Sequence, residues 1–223
     1  MPKRYLICGL LLLCAFRLQA GEVLDRIVAT VNGHVILQSD LEEELRYLSL
    51  MSGREITTEN EGKAALNRLI DRELVNEQSA TTDYVQTTAD EIDAQLERVK
   101  SDYLQSLKTS WSASLANHGF TEGEVRDHIA LELNQSRIVD ARLRPSVQID
   151  QSAVVSYYKS QLLPELSRSG AQPIPLAEAA PKIREILTQQ KINEALPSWL
   201  EALRSQAQIR VLGPNSSSSD AAQ

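Results

Sequence analysis

Residues 26–38 read RIVATVNGHVILQ, two β-branched runs on either side of Asn32-Gly33. An Asn-Gly loop between such runs predicts a β-hairpin, because a type I′ turn needs positive φ at both central positions. From Ser39 onward the apolar spacing changes to the helical period of about 3.6 residues. Helical patterns then continue to Gln206. Four pairs, Ser39 with Glu42, Thr58 with Glu61, Thr88 with Glu91 and Thr121 with Glu124, have the spacing of a capping box. In that motif the hydroxyl accepts from a first-turn amide while the glutamate reaches back to the cap amide. Behind the caps lie three apolar stripes: Leu66, Leu69, Ile70 and Leu74; Ile92, Leu96, Val99, Tyr103 and Leu107; Val125, Ile129, Leu133 and Val139. Each stripe needs a partner surface, so these helices are expected to pack on one another. A shorter helix over residues 111–117 is expected to end at His118-Gly119, where glycine takes the left-handed position past the last turn.

After Arg144-Pro145, residues 147–149 read as extended, and Asp150 is the expected cap of a helix through Tyr157, Tyr158 and Leu162. Residues 163–175, LPELSRSGAQPIP, collect Pro, Ser and Gly with little periodicity and read as a linker. A long helix is predicted over residues 176–206, bent at Pro197, with an apolar stripe through Ile183, Ile186, Leu187, Leu196, Trp199, Leu200 and Leu203. Residues 208–212, QIRVL, read as a strand, and the tail over residues 213–223 is expected to be disordered. A two-stranded hairpin is marginal alone. The last strand is therefore the expected third member of a small antiparallel sheet, which joins the two ends of residues 22–212 into one unit. The fold class is mainly α, and the C-terminal stripe is expected to pack back on the N-terminal helices.

Charge and leader change this picture. Lys3 and Arg4 precede an apolar run over residues 5–16 and a polar stretch ending at Ala20, so residues 1–20 read as a secretory signal peptide. The run is too short to span a bilayer, which needs about 20 apolar residues. The exported chain is expected to be soluble and periplasmic. Removing Lys3, Arg4 and Arg17 with the leader takes the net charge from -7 to -10, which argues against nucleic-acid binding. Cys8 and Cys14 both leave with the leader, so the mature chain has neither disulfide nor thiol nucleophile. Leu13 before Cys14 and Ile7 before Cys8 do not fit a lipoprotein signal.

The search for chemistry returns little. The chain has no phosphate-binding or dinucleotide glycine motif, so ATP and nicotinamide cofactors are not expected. His34 falls on a strand, His118 at a helix end and His128 on a helix. His128 and Glu132 share a helix face at i, i+4, but a third ligand is not in view, and they read as a solvated surface pair rather than a metal site. Ser156 and Lys159 match S-x-x-K without the S-D-N and K-T-G elements that serine enzymes of that kind need. Glu42, Glu43 and Glu44 read as a wet helix face, and Trp111, Phe120 and Trp199 as packing residues. The expectation is a non-enzyme with no cofactor and no metal.

Several stretches, taken in order, resemble one family. Residues 27–45, IVATVNGHVILQSDLEEEL, resemble the opening hairpin and first helix of the SurA family of periplasmic chaperones. Residues 66–74, LNRLIDREL, look like that family's second helix. Trp111 and Leu115, then Gly119, Phe120, Thr121, Glu122 and Glu124, resemble its helix, turn and next helix start. Val147 and Ile149 with Val154, Tyr157 and Tyr158 resemble the stretch that leads into its isomerase domain. Ile183 to Leu187, Trp199, Leu200, Leu203 and Arg204, and Ile209, Val211 and Leu212 resemble its C-terminal helix and strand.

In SurA-like proteins a parvulin prolyl-isomerase domain of about a hundred residues separates the two blocks, and a linker of a dozen or so cannot hold such a domain. The resemblance therefore implies residues 21–163 as an N-terminal helical domain, residues 164–175 as a linker in the parvulin position, and residues 176–212 as a returning helix and strand. It implies an ATP-independent holdase for unfolded exported or outer-membrane polypeptides, with a cleft between the long helices and the N-terminal module, and without isomerase activity. The alternative is an assembly factor with one fixed partner in the cell envelope. Met51 is the single methionine of the mature chain, so an adaptable Met-rich groove is not the expected mode of binding. The peptide-binding residues themselves are not identified by the sequence.

Overall fold

The computed structural model describes residues 25–107 and 109–212. The expected leader and disordered tail lie outside them. Strands β1 (Ile27–Val31) and β2 (His34–Leu37) form the hairpin, and β3 (Ile209–Val211) pairs antiparallel on the other side of β1, giving the order β2-β1-β3. Asn32 and Gly33 have φ of 50° and 93°, the left-handed pair that a type I′ turn requires. Asn32 does a second job: its N–H donates to the Gln208 carbonyl at 3.0 Å and its Oδ1 accepts from the Gln208 N–H at 2.8 Å. The turn thus holds the start of the last strand.

Among the described residues, eight α-helices follow the hairpin: α1 (Gln38–Ser52), α2 (Glu59–Glu77), α3 (Ala89–Leu107), α4 (Trp111–His118), α5 (Glu122–Leu143), α6 (Gln151–Tyr157), α7 (Leu163–Ser169) and α8 (Leu176–Gln206). The described chain is mainly α. Three of the expected capping boxes form. The amides of Thr58, Thr88 and Thr121 donate to Glu61, Glu91 and Glu124 at 3.0, 2.8 and 2.6 Å, and each threonine hydroxyl accepts from the same glutamate's amide. The fourth is displaced. Strand β2 runs into α1 without a loop, so the helix starts at Gln38, and Asp40 accepts from the Leu37 N–H at 2.8 Å in place of a Ser39–Glu42 box. Ser39 instead donates to Asp25 through its amide and its hydroxyl. The short helix ends as expected, with Gly119 at φ 69°.

The expected linker is half helical. A wide π turn (Tyr158–Leu162) carries α6 into α7, so only residues 170–175 remain to join α7 to α8. Pro164 accounts for the widening: in a regular α-helix its ring would strike the carbonyl four residues back, and a π turn relieves that clash. The Leu163 N–H accordingly donates to Tyr158 O, five residues back. The Tyr158 hydroxyl then pins the connection by donating to the Ile174 carbonyl at 2.6 Å. Helix α8 continues through Pro197, and also through Pro181. Residues 177 and 193, whose carbonyls lose their helical donors to these prolines, are exposed, so solvent replaces the bond.

Burial is divided among three clusters. The largest lies where α1, α3, α4 and α5 meet, around Tyr47, Leu50, Leu96, Tyr103, Trp111, Phe120, Val125 and Ile129. Trp111 stacks edge-on to Tyr103 at 5.2 Å, and its indole N–H donates to Glu122 at 3.2 Å, so the ring is buried without stranding its donor. A second cluster seats the hairpin on Leu69, Ile70 and Leu74 of α2, with Leu203, Ala207 and Ile209 from the chain's end against it. The third packs Val154 of α6 on Ala179 and Ile183 of α8, with Tyr157 and Tyr158 beside them.

A candidate functional groove between the second, fifth and eighth helices

The apolar stripe of α8 finds its partners at its two ends. Ile183 and Leu187 meet α6, and Leu203 meets the sheet cluster. Polar contacts fasten the same two ends. Arg204 donates from Nε to Asp71 at 2.7 Å and from Nη2 to the Asn67 carbonyl at 3.0 Å. Arg144, just past α5, grips Asp140 and Glu185 with its guanidinium at 2.7 to 2.9 Å. Between these anchors Ile192 of α8 is buried, and beside it α8, α2 and α5 enclose a cavity of about 500 Å³. Its apolar surface comes from Val75, Val139, Leu196 and Leu200, and its polar wall from Arg68, Asp71, Arg72, Glu132, Gln135 and Asn193.

The charged wall is tied into the core. Glu44 of α1 has a side chain only 1% exposed, and its carboxylate is held by Arg72 and by Arg68 Nε at 3.4 Å. An unpaired carboxylate at that depth would be strongly unfavourable, so the two arginines are fixed in position by the charge they neutralise. Gln135 donates to the Asn76 side chain at 3.2 Å and further orders the wall. Burial raises the Tyr47 hydroxyl well above the ordinary tyrosine range, and the neighbouring Glu132 carboxylate reinforces the shift, so the hydroxyl stays neutral. The result is a groove with a modest apolar floor and a fixed ionic rim.

The sequence-level candidates fall elsewhere. His128 does not form a solvated pair with Glu132: its Nε2 lies 2.9 Å from Glu43, its ring stacks on Tyr47 at 4.2 Å, and its side chain is only 10% exposed. Packing of α5 against α1 decides this, because it brings an aromatic face and a carboxylate to the ring from another helix. The glutamate run expected to be a wet face splits in three: Glu42 is exposed, Glu43 meets His128 and Glu44 is buried. Trp111 and Phe120 are core residues, whereas Trp199 stays half-buried. Ser156 and Lys159 are both exposed, and His118 Nδ1 sits 2.8 Å from the Ser114 carbonyl at its own helix end.

Sequence reasoning missed Arg68, Asp71 and Arg72 as site residues. They are three of the five polar positions inside LNRLIDREL, where charges interleave an apolar stripe, and nothing local marks them as a wall of a cavity. A larger basin of about 1030 Å³ lies where the α1–α2 connection faces the end of α4, around Arg46, Ile56 and His118. It lies within the N-terminal helices and involves no residue of α8. The groove at α8 is formed jointly by the N-terminal helices and the returning segment.

No family model matches the chain. The chain is similar to the chaperone SurA of Pseudomonas aeruginosa, with 27% identity over 180 residues. The match covers 77% of this chain but 43% of that protein, so the chain spans less than half the length of the curated relative it matches. Together with the mainly α fold and its three-stranded antiparallel sheet, this distant similarity supports a SurA-like relationship.

Proposed function

We propose that this chain is an ATP-independent periplasmic holdase, exported by the leader at residues 1–20, which shelters extended segments of unfolded exported or outer-membrane polypeptides without isomerising prolyl bonds. The observation that carries the reading is the groove that α8 encloses with α2 and α5, lined by Leu196 and Leu200, in a chain with distant similarity to a chaperone. Val139, Leu196 and Leu200, each half-buried, offer a small apolar surface, which suits weak rather than tight binding of a client. Such weak, reversible burial needs no nucleotide cycle. Rotation about a peptide bond faces a barrier of about 18–20 kcal/mol, and lowering it takes a shaped pocket around the proline. Where the parvulin domain would stand, residues 163–175 make one short helix and a turn.

The test pairs two assays on the mature chain: light scattering of a denatured porin diluted from denaturant, and a proline-limited peptide cleavage. Scattering should fall at a few-fold molar excess, and Leu200→Asp, which puts a charge on the groove floor, should abolish the effect while leaving the melting temperature near wild type. Cleavage should not accelerate. Acceleration would overturn the isomerase-free reading. No effect on scattering, with one stoichiometric partner captured by crosslinking in the periplasm, would establish the fixed-partner assembly role instead.

A further inference from the structure

Glu73 and Glu77 lie one turn apart on α2, so their carboxylates share a face, and like charges at that spacing repel. The hairpin turn brings a third group to them. His34 is the first residue of β2, and its Nδ1 lies 3.3 Å from Glu73 Oε1; one ligand atom from each of His34, Glu73 and Glu77 falls within 4.8 Å of the others. We propose that these three side chains bind a divalent transition metal ion of the Zn²⁺ type, which fastens the hairpin to α2.

The geometry and the donor set both point there. Zn²⁺ bonds nitrogen and oxygen at about 2.0–2.2 Å, which in a tetrahedron puts neighbouring ligand atoms roughly 3.3–3.5 Å apart. The His34–Glu73 separation already has that value, and Glu77 needs only a side-chain adjustment of about an ångström to match it. Asn32 Nδ2 donates to Glu77 Oε2 at 2.7 Å and orients that carboxylate from outside, as second-shell groups do in metal sites. Beside the triad opens a cleft of about 200 Å³ whose walls include Asp40, Glu43 and Glu73, and the buried Glu44 that Arg72 and Arg68 neutralise. An acidic cleft of this kind raises the local concentration of cations. One imidazole with two carboxylates suits Zn²⁺ better than Mg²⁺ or Ca²⁺, which take oxygen ligands in larger number. His34 is 65% exposed, so the ion has an entry path and a solvent-facing fourth position.

The site would act on the sheet. Asn32 contacts Glu77 with its amide nitrogen and Gln208 with its amide oxygen, so an ion on Glu77 is one side chain away from the segment that leads into β3.

The test is calorimetric titration of the mature chain with ZnCl₂, repeated with CoCl₂ while the visible absorption is followed. One equivalent of Zn²⁺ should bind and raise the melting temperature, Co²⁺ should show the intense bands of four-coordination, and MgCl₂ should give no comparable heat. His34→Ala and Glu77→Gln each remove a direct ligand and should weaken binding by more than the roughly 10- to 100-fold that loss of an outer-shell contact costs. His118→Gln should bind as wild type does. The melting temperature of each variant in chelator checks its folding, and Glu77→Gln serves if His34→Ala is unstable. Absence of Zn²⁺ binding by the wild-type chain, or unchanged stoichiometry and affinity in folded Glu77→Gln, would overturn the proposal.

Discussion

The bundle of α1, α3, α4 and α5 and the seat of α8 are built from helices with the same kind of apolar stripe, yet they are held by different means. In the bundle the stripes close on one another, burying Leu50, Leu96, Trp111, Phe120, Val125 and Ile129 in one cluster. Helix α8 is 31 residues long and buries only Ala179, Ile183 and Ile192. Its ends are fixed by Arg204 on Asp71 and by Arg144 on Glu185, while Leu196 and Leu200 line open space. The lesson is that an unclosed stripe is not a packing defect when polar anchors carry its ends. The bundle closes its own stripes, whereas the returning helix adds buried contacts at Ile183 and Ile192 and leaves Leu196 and Leu200 against a cavity.

The largest test of this comparison removes the returning segment. A fragment of residues 21–175 loses α8 and β3, and with them Ile183 and Ile192, each contributing about 1.5–3 kcal/mol. Against a total stability of about 5–15 kcal/mol, the fragment should melt at much lower temperature and without a sharp transition. Cooperative melting at the temperature of the full mature chain would show that the bundle stands without its clamp.

A smaller effect is expected at the anchor itself. Arg204→Ala deletes charge-assisted bonds to Asp71 and to the carbonyl of exposed Asn67; the Arg204 and Asp71 side chains are each about three-quarters buried. After allowance for solvent screening the loss should be about 1 kcal/mol in denaturant unfolding. Hydrogen exchange sharpens the point: amides of β3 and the last turns of α8 should exchange faster, and those of α5 should not change. Equal acceleration in α5 would mean that bundle and clamp open together.

The smallest effect concerns acid. The hydrogen bond from the Thr58 hydroxyl, then the Arg54 guanidinium, lowers Glu61 from the usual 4.5 to about 2, and Thr88 and Thr121 likewise lower Glu91 and Glu124. A carboxylate depressed in the folded state stabilises above its unfolded value, and that contribution fades as pH falls through the folded one. The melting temperature should therefore decline between about pH 4.5 and pH 2, and Thr58→Ala should reduce the slope. Helix α8 has no side-chain cap of this kind, so its N-terminal amides should respond less over the same range. A slope unaffected by Thr58→Ala would remove the caps of α2, α3 and α5 from the account of acid sensitivity.

The hairpin, three capping boxes, the end of α4 at Gly119 and the mainly α class were legible in the sequence because each depends on residues within a few positions of one another. Even the displaced start of α1 is a local matter, decided by how closely β2 adjoins it. Of the groove, Val139, Leu196 and Leu200 could be named as stripe residues, but not as residues left unclosed. The helix inside the expected linker was hidden by a proline that a π turn accommodates. What only the tertiary structure decided is the meaning of the charges. Glu44 meets Arg72 across 28 positions, His128 meets Glu43 across 85, and Arg204 meets Asp71 across 133. Periodicity assigns a residue to a face of its own helix, but the burial and partners of a charge depend on which other helix covers that face. That choice is made by the packing of the whole chain.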